Sequence, residues 1–283
     1  MQRVAQDGVR VRAGAGGGSF HRKETLEGHL ARVKAQVQRL REELHEDTQA
    51  SSHRQKAAKE RVARERDERL TEALRQIEEV KRVKARAKSK KLKNQPARSS
   101  STDPDARVMK MANGGYNPAF NVQFTTDVDT QVIVGVDVTN AGSDSAQMAP
   151  MIRQIIERYG RAPEQMLVDG GFASPKAVDE VAESVPNCQV YGPVQKYKDT
   201  SRHPHQPQKG DSPSVAAWRI RMGTDEAKTI YRLRAQVAEC VNALARNRGL
   251  YKFLVRGLKK VRAVTLWYAV AHNLNRSVSL ARA

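Results

Sequence analysis

Apolar and polar positions alternate from the first residues of the chain: Asp7, Val9 and Val11 point to one face, and Gly8, Arg10 and Arg12 to the other. Period two predicts a strand, and the glycine run at 13–18 closes it as a loop. The period then changes. Leu26, Leu30, Val33, Val37, Leu40 and Leu44 step by 4, 3, 4, 3 and 4, the a/d seam of a coiled coil. Thr48, Gln49, Ser51 and Ser52 interrupt that seam, and Val62, Leu70, Leu74, Ile77 and Val80 resume it on a more charged stretch. One long helix would fit the pattern, but the polar break points to two antiparallel helices, a hairpin over residues 21–98. A Pro/Ser-rich segment from 94 to 107 reads as a linker, with 99–107 outside the hairpin.

Beyond the linker the pattern is that of an α/β domain. Strands are predicted at 120–127 and 131–140, and a helix at 143–160 with Ser143 or Asp144 as its cap. Met148, Met151, Ile152, Ile155 and Ile156 form the apolar face of that helix, and Gly160 ends it. Residues 165–175 read as a buried strand running into a Gly-Gly turn, 176–184 as a short helix and 189–194 as a strand. A loop is expected at 195–217, and helices at 224–248 and 258–281. The order suits a five-stranded mixed sheet flanked by helices, with three antiparallel strands leading and two parallel ones after. The expected organisation is a first strand (1–20), an inserted basic helical hairpin (21–98), a linker (99–107) and the rest of the core (108–283).

Charge narrows the partners. The 283 residues carry 50 Lys+Arg against 31 Asp+Glu, a formal charge of +19. From Lys81 to Arg98 there are nine bases and no acid, among them Lys88, Lys90 and Lys91, and from Cys240 to the end nine more bases without an acid. The 81–98 run should repel itself unless phosphates or counterions neutralise it, so it is expected to be a DNA-backbone-contacting arm. An anionic membrane surface and ribosomal-type binding stay open on charge alone. No window approaches 18 consecutive apolar residues, and the N-terminus lacks the apolar run of a secretory signal. Two cysteines, Cys188 and Cys240, make neither a disulfide framework nor a zinc cluster, so a cytoplasmic location is expected.

Three acids stand out by context. Asp7 lies on the first strand, Asp169 follows a buried strand and precedes Gly170 and Gly171, and Glu239 lies within a late helix. A carboxylate at the C-terminal end of a strand sits where open α/β sheets hold ligands, and paired glycines let a large substrate come close. Three converging carboxylates can hold two hard cations such as Mg²⁺ for phosphoryl transfer. Each acid also has a plainer reading as a solvent-facing, turn-capping or surface residue. Asp137 competes with Asp7, and Glu226 with Glu239, although an acid in a first helical turn is explained by the macrodipole. Periodicity puts Glu239 nearly opposite the stripe Ile230, Leu233, Val237, Val241 and Leu244, which permits a site without demanding one.

These blocks resemble the DDE transposases of bacterial insertion sequences. QDGVRVRA is similar to the first-aspartate block, LVDGGFAS to the second, and the stretch from Ile230 to Leu274 to the glutamate block. The family signature there is Tyr, two residues, Arg, a short gap, Glu, six residues, Lys. Here Tyr231, Arg234 and Glu239 stand in order, with Arg246 in the lysine's place and an Arg-to-Glu gap one residue longer than the commonest form. The resemblance implies an RNase-H-like core, with Asp7, Asp169 and Glu239 as ligands of two Mg²⁺ or Mn²⁺ ions. It also implies that Tyr231, Arg234 and Arg246 contact transposon-end phosphates. The implied reaction is cleavage at the element's ends and transfer of the freed 3′-hydroxyl to target DNA. A homodimer associated with the nucleoid is the implied state. His272 is expected to pack or cap rather than catalyse. The family carries a helical DNA-binding region ahead of the first aspartate, whereas only six residues precede Asp7, so an N-terminally truncated chain is expected. The rivals are a DNA-binding remnant that cannot cut and a coiled-coil adaptor with an inert α/β domain. For the hairpin, dimerisation, DNA clamping and a passive spacer stay open.

Overall fold

A computed structural model describes residues 1–46, 50–87, 89–195 and 203–282, the side chains of 50–52 excepted. In chain order the elements are β1 (Arg3–Arg12), a 3-10 turn (Gly17–Ser19), β2 (Phe20–His21), α1 (Lys23–Glu46), α2 (Ala50–Ala85), α3 (Lys90–Asn94), β3 (Ser99–Ser100) and β4 (Arg107–Lys110). Then follow β5 (Tyr116–Asp127), β6 (Ile133–Thr139), α4 (Met148–Tyr159), β7 (Gln165–Leu167), α5 (Pro175–Ser184) and β8 (Gln189–Tyr191). The chain ends in α6 (Pro213–Gly223), α7 (Asp225–Arg234), a π-helical turn (Ala235–Glu239), α8 (Cys240–Asn247) and α9 (Leu258–Leu280). It forms two compact units, one of residues 1–11, 120–252 and 259–283, the other of residues 12–119 and 253–258.

The first unit is a mixed sheet in the order β6-β5-β1-β7-β8. β1 and β7 run parallel with Val4 opposite Met166 and Ala5 opposite Leu167, β7 and β8 are parallel, and β5 and β6 are antiparallel. Its core is Val4, Ala5, Met166, Leu167, Val168 and Phe172 with the apolar faces of α4 and α5 and Trp218 of α6. Gly160 stops α4 in the left-handed region at φ 68°, a conformation glycine adopts without strain. α9 clamps the β5–β6 turn: Asn273 exchanges two hydrogen bonds with the Ile133 backbone, and Arg276 Nε donates to Thr130 O at 2.7 Å. His272 Nε2 lies 3.0 Å from Gln131 O. Burial holds that imidazole below its ordinary pKa, and the packing role expected of it fits this setting.

Several expectations are corrected. α4 begins at Met148, not 143, and Gln147 is at its cap without a side-chain bond. Asp144 is drawn elsewhere, as described below. α6 cuts into the segment expected to be loop, because Ser212 accepts a hydrogen bond from Val215 N and Pro213 occupies the first turn. Residues 196–202 of that loop lie outside the described residues, and 203–212 precede α6 without a helix or strand. Within the second unit, β4 pairs antiparallel with Tyr116–Ala119, a strand pairing that was not expected.

In the second unit, Leu26 and Val33 of α1 pack with Leu70, Ala73 and Ile77 of α2, and Arg41 reaches Glu60 at 3.2 Å. The helices therefore run antiparallel. Val62 is 59% exposed and Ala63 is buried instead, so the seam on α2 runs partly through alanine. The segment read as linker carries β3, paired with β2, and buries Ser99, Ser100 and Asp103. Asp103 accepts from Gly257 N, and Asp105 from Leu258 N at 2.8 Å. The carboxylates thus satisfy donors at the start of α9.

Candidate active site

Asp7, Asp169 and Glu239 meet around one guanidinium. Arg234 Nη2 lies 3.7 Å from Asp7 Oδ1 and 3.8 Å from Asp169 Oδ2, and Nη1 lies 3.3 Å from Glu239 Oε1. β1 supplies the first acid, the turn after β7 the second and the π-helical turn the third. The arginine is 12% exposed and the acids 16%, 40% and 63%, so the cluster opens toward solvent on the Glu239 side.

Each acid is held by its own local geometry. Asp7 Oδ1 accepts from Gly8 N at 2.9 Å, and Oδ2 from Asn242 Nδ2 of α8, also at 2.9 Å. Burial raises the Asp7 carboxyl pKa above its ordinary value; Arg234 opposes the rise and Asp169 adds to it. Asp169 Oδ1 accepts from Gly171 N at 2.7 Å, which fixes its turn. Tyr231 is half-buried, and its phenol is pushed up first by burial and then by all three carboxylates, with Arg234 opposing.

Glu239 reaches Arg234 because of the π-helical turn. In a plain α-helix, residues five apart point about 140° away from one another. The wider turn over Ala235–Glu239 takes up the extra residue of the Arg-to-Glu gap and keeps both side chains on one side.

The remaining expected residues are placed differently. Arg246 is exposed on α8, beyond the π-helical turn that carries Glu239. Lys90 and Lys91 are exposed on α3 in the second unit. Lys88 lies outside the described residues. Asp137 sits on β6 and faces Arg262 at 3.7 Å, so it does not join the cluster. Glu226 occupies the first turn of α7, as expected of a helix-start acid.

Two participants were not anticipated. Asn242 follows Glu239 by three residues, a spacing that puts both on one helix face, and its Oδ1 is buried without a partner. Asp144 lies beside Gly8 and Gly171: a Cβ at Gly8 would stand 2.6 Å from its Oδ1, and one at Gly171 3.8 Å from its Oδ2. Asp144 accepts from Arg10 through both oxygens (3.2 and 2.8 Å) and from Asn121 and Gln123 at 2.7 Å each. The signal for it was Asn121 and Gln123, polar at period two between the apolar Phe120, Val122 and Phe124 and buried with them.

Among the described residues, no three His, Cys, Asp or Glu side chains form a group that could hold a metal ion as placed. The donor set nonetheless suits a hard divalent cation. It offers three carboxylates on separate elements, beside the unpartnered Asn242 oxygen.

Residues 185–278, from just before β8 to the last turns of α9, match the family model described as Transposase DDE domain. No curated protein matches the chain. The matched stretch includes Tyr231, Arg234, Glu239 and Arg246, leaves Asp7 and Asp169 outside it, and supports a likeness to DDE transposases over those residues.

Proposed function

We propose that this chain is the RNase-H-like catalytic core of a transposase that cleaves DNA at element ends and joins the freed 3′-hydroxyl to target DNA. What carries the reading is the convergence of Asp7, Asp169 and Glu239 on the Arg234 guanidinium. Asp7, Asp169 and Glu239 would hold Mg²⁺ or Mn²⁺, two ions in the full site. Such ions supply charge stabilisation to the attacking and leaving oxygens of an in-line phosphoryl transfer.

The chain's own residues do the rest. Arg234 neutralises the acids, and where divalent cations supplied that charge instead its fork would be available to a phosphate oxygen pair. Tyr231 stands beside it as a donor for the same backbone. Asn242 orients Asp7, and the Gly170–Gly171 turn lets the DNA approach Asp169 closely. Arg246 and the cations of residues 81–98 bind the DNA backbone, so affinity falls steeply with salt. A homodimer associated with the nucleoid, using the helical hairpin for assembly or DNA clamping, completes the reading.

The test is nicking of DNA carrying the element's end by the purified chain in Mg²⁺ or Mn²⁺. Asp169→Ala and Glu239→Ala should each abolish nicking and leave salt-sensitive binding intact. A chain that binds end DNA but never cuts it in either metal is the binding-only remnant. The position of Arg234 between the acids is the observation that favours that second reading. Retained nicking in both variants would overturn the site.

A further inference from the structure

The described residues of the basic run, 81–87 and 89–98, do not trail as a loose cationic arm. Lys84 Nζ donates to Gln95 O at 3.2 Å and to Pro96 O at 3.0 Å, which closes the end of α2 against the segment after α3. The fold encloses a cavity of about 550 Å³ within the second unit, the size of a small-molecule site. Phe20, Leu92, Val108 and Tyr116 line it, and Leu92, Val108 and Tyr116 are 42%, 51% and 70% exposed. Apolar groups left open to water in a concavity mark a surface that something else covers.

The charges are of one sign. Lys84, Arg98 and Arg107 line the cavity, and no acid does. Arg107 is occupied, donating to Pro104 O, Ala106 O and Gln76 Oε1. Lys84 has Arg98 as its charged neighbour, and burial and that like charge lower its pKa. An anion at Lys84 and Arg98 relieves that repulsion. A ligand that fits both features carries negative charge and a flat, weakly polar face. A nucleotide has both, and aromatic rings beside cations are how single strands are held. A paired duplex presents its phosphates outward and keeps its base faces stacked, so it has no use for the apolar wall.

We propose that this cavity binds one unpaired nucleotide of the DNA substrate, with its base against Tyr116 and Phe20 and its phosphate at Lys84 and Arg98. The inference rests on the reading of the chain as acting on DNA and adds the single-stranded part of its substrate.

The experiment is fluorescence anisotropy of the full chain in EDTA, with a labelled duplex bearing a short single-stranded overhang and a fully paired duplex of the same length. Wild type should prefer the overhang. Tyr116→Ala, at an exposed position, should weaken overhang binding about tenfold and leave the paired duplex unchanged. Arg98→Gln should weaken overhang binding and lower its salt slope by about one. Equal binding of the two DNAs by wild type overturns the proposal, as does overhang binding untouched by Tyr116→Ala and Arg98→Gln. An equal loss on both DNAs also overturns it, because the surface would then serve duplex alone. The readout is independent of cleavage. Failure to nick with a Tyr116-dependent overhang preference removes the catalytic reading only, and nicking without that preference removes this one only.

Discussion

Two acid clusters lie close to β1, and they are built differently. Asp144 has both carboxylate oxygens engaged by Arg10, Asn121 and Gln123 at 2.7–3.2 Å. Asp7, Asp169 and Glu239 share a single guanidinium at 3.3–3.8 Å. The first cluster is a saturated polar network of the kind that fixes a structure. In the second, three negative charges face one positive charge, and a buried amide oxygen of Asn242 stands by without a partner. Asp7 and Asp169 also accept from Gly8 N, Asn242 Nδ2 and Gly171 N, so the second cluster differs from the first in its charge balance and not in a lack of donors. The contrast separates Asp144 from the other three, although Asp144 and Asp169 both lie beside Gly171.

The largest effect that tests this contrast is loss of the saturated acid. Asp144→Ala removes the shared acceptor of Arg10, Asn121 and Gln123 while Arg10 keeps Asn121 Oδ1 and Gly142 O, and should destabilise the fold by about 1–3 kcal/mol in chemical denaturation. A change near zero would make Asp144 as dispensable as a surface acid. Next comes Arg234→Gln, which removes the shared counter-ion. Unfolding midpoints in EDTA should fall by the equivalent of about 1–2 kcal/mol, and Mg²⁺ should raise them more than it does in wild type. If Mg²⁺ moves both proteins equally, the acids do not depend on the arginine.

A smaller effect concerns pH. The Asp7 pKa is raised in the fold mainly by burial, so its stability contribution is complete below the ordinary aspartate value and is lost as pH rises through the raised one. Asp7→Asn removes that loss. In metal-free buffer its stability relative to wild type should therefore improve between mildly acid and neutral pH, as followed by thermal unfolding. A relative stability that declines over that range would contradict the burial of Asp7. The smallest effect is chemical. Cys188 is buried and its thiol is pushed up to about 12, while Cys240, next to Glu239, is exposed. At pH 8 a thiol reagent should label one cysteine quickly and leave Cys188 until the protein unfolds. Two fast labels would mean that the site helix and the core share no difference in protection.

Much of this was legible in the sequence because periodicity records burial. The heptad steps from Leu26 to Leu40 gave the buried line of α1, and the five apolar positions of α4 gave its inner face. Asp7 and Asp169 could be singled out because a strand acid followed by glycine is a local signal. What stayed hidden depends on partners distant in sequence. Asp144 reads as a helix cap until Arg10, Asn121 and Gln123 are brought to it from β1 and β5. Ser99 and Ser100 read as linker because nothing local shows that Phe20 and His21 pair with them. The seam of α2 was misplaced at Val62 because small Ala63 carries the burial there, and hydrophobicity weights alanine lightly. By contrast, Ser212 followed by Pro213 was a readable helix start inside the expected loop. A fixed 100° step could not place Glu239, since the helix widens just where that acid sits.

That widening matters for how length varies along such a helix. One added residue in an ordinary helix turns everything beyond it by about 100° and advances it by about 1.5 Å. Here the insertion is absorbed between Ala235 and Glu239, and the acid keeps its hold on the arginine. A search template that counts a rigid number of positions between the two would discard this chain, although the side chains it is meant to find are touching.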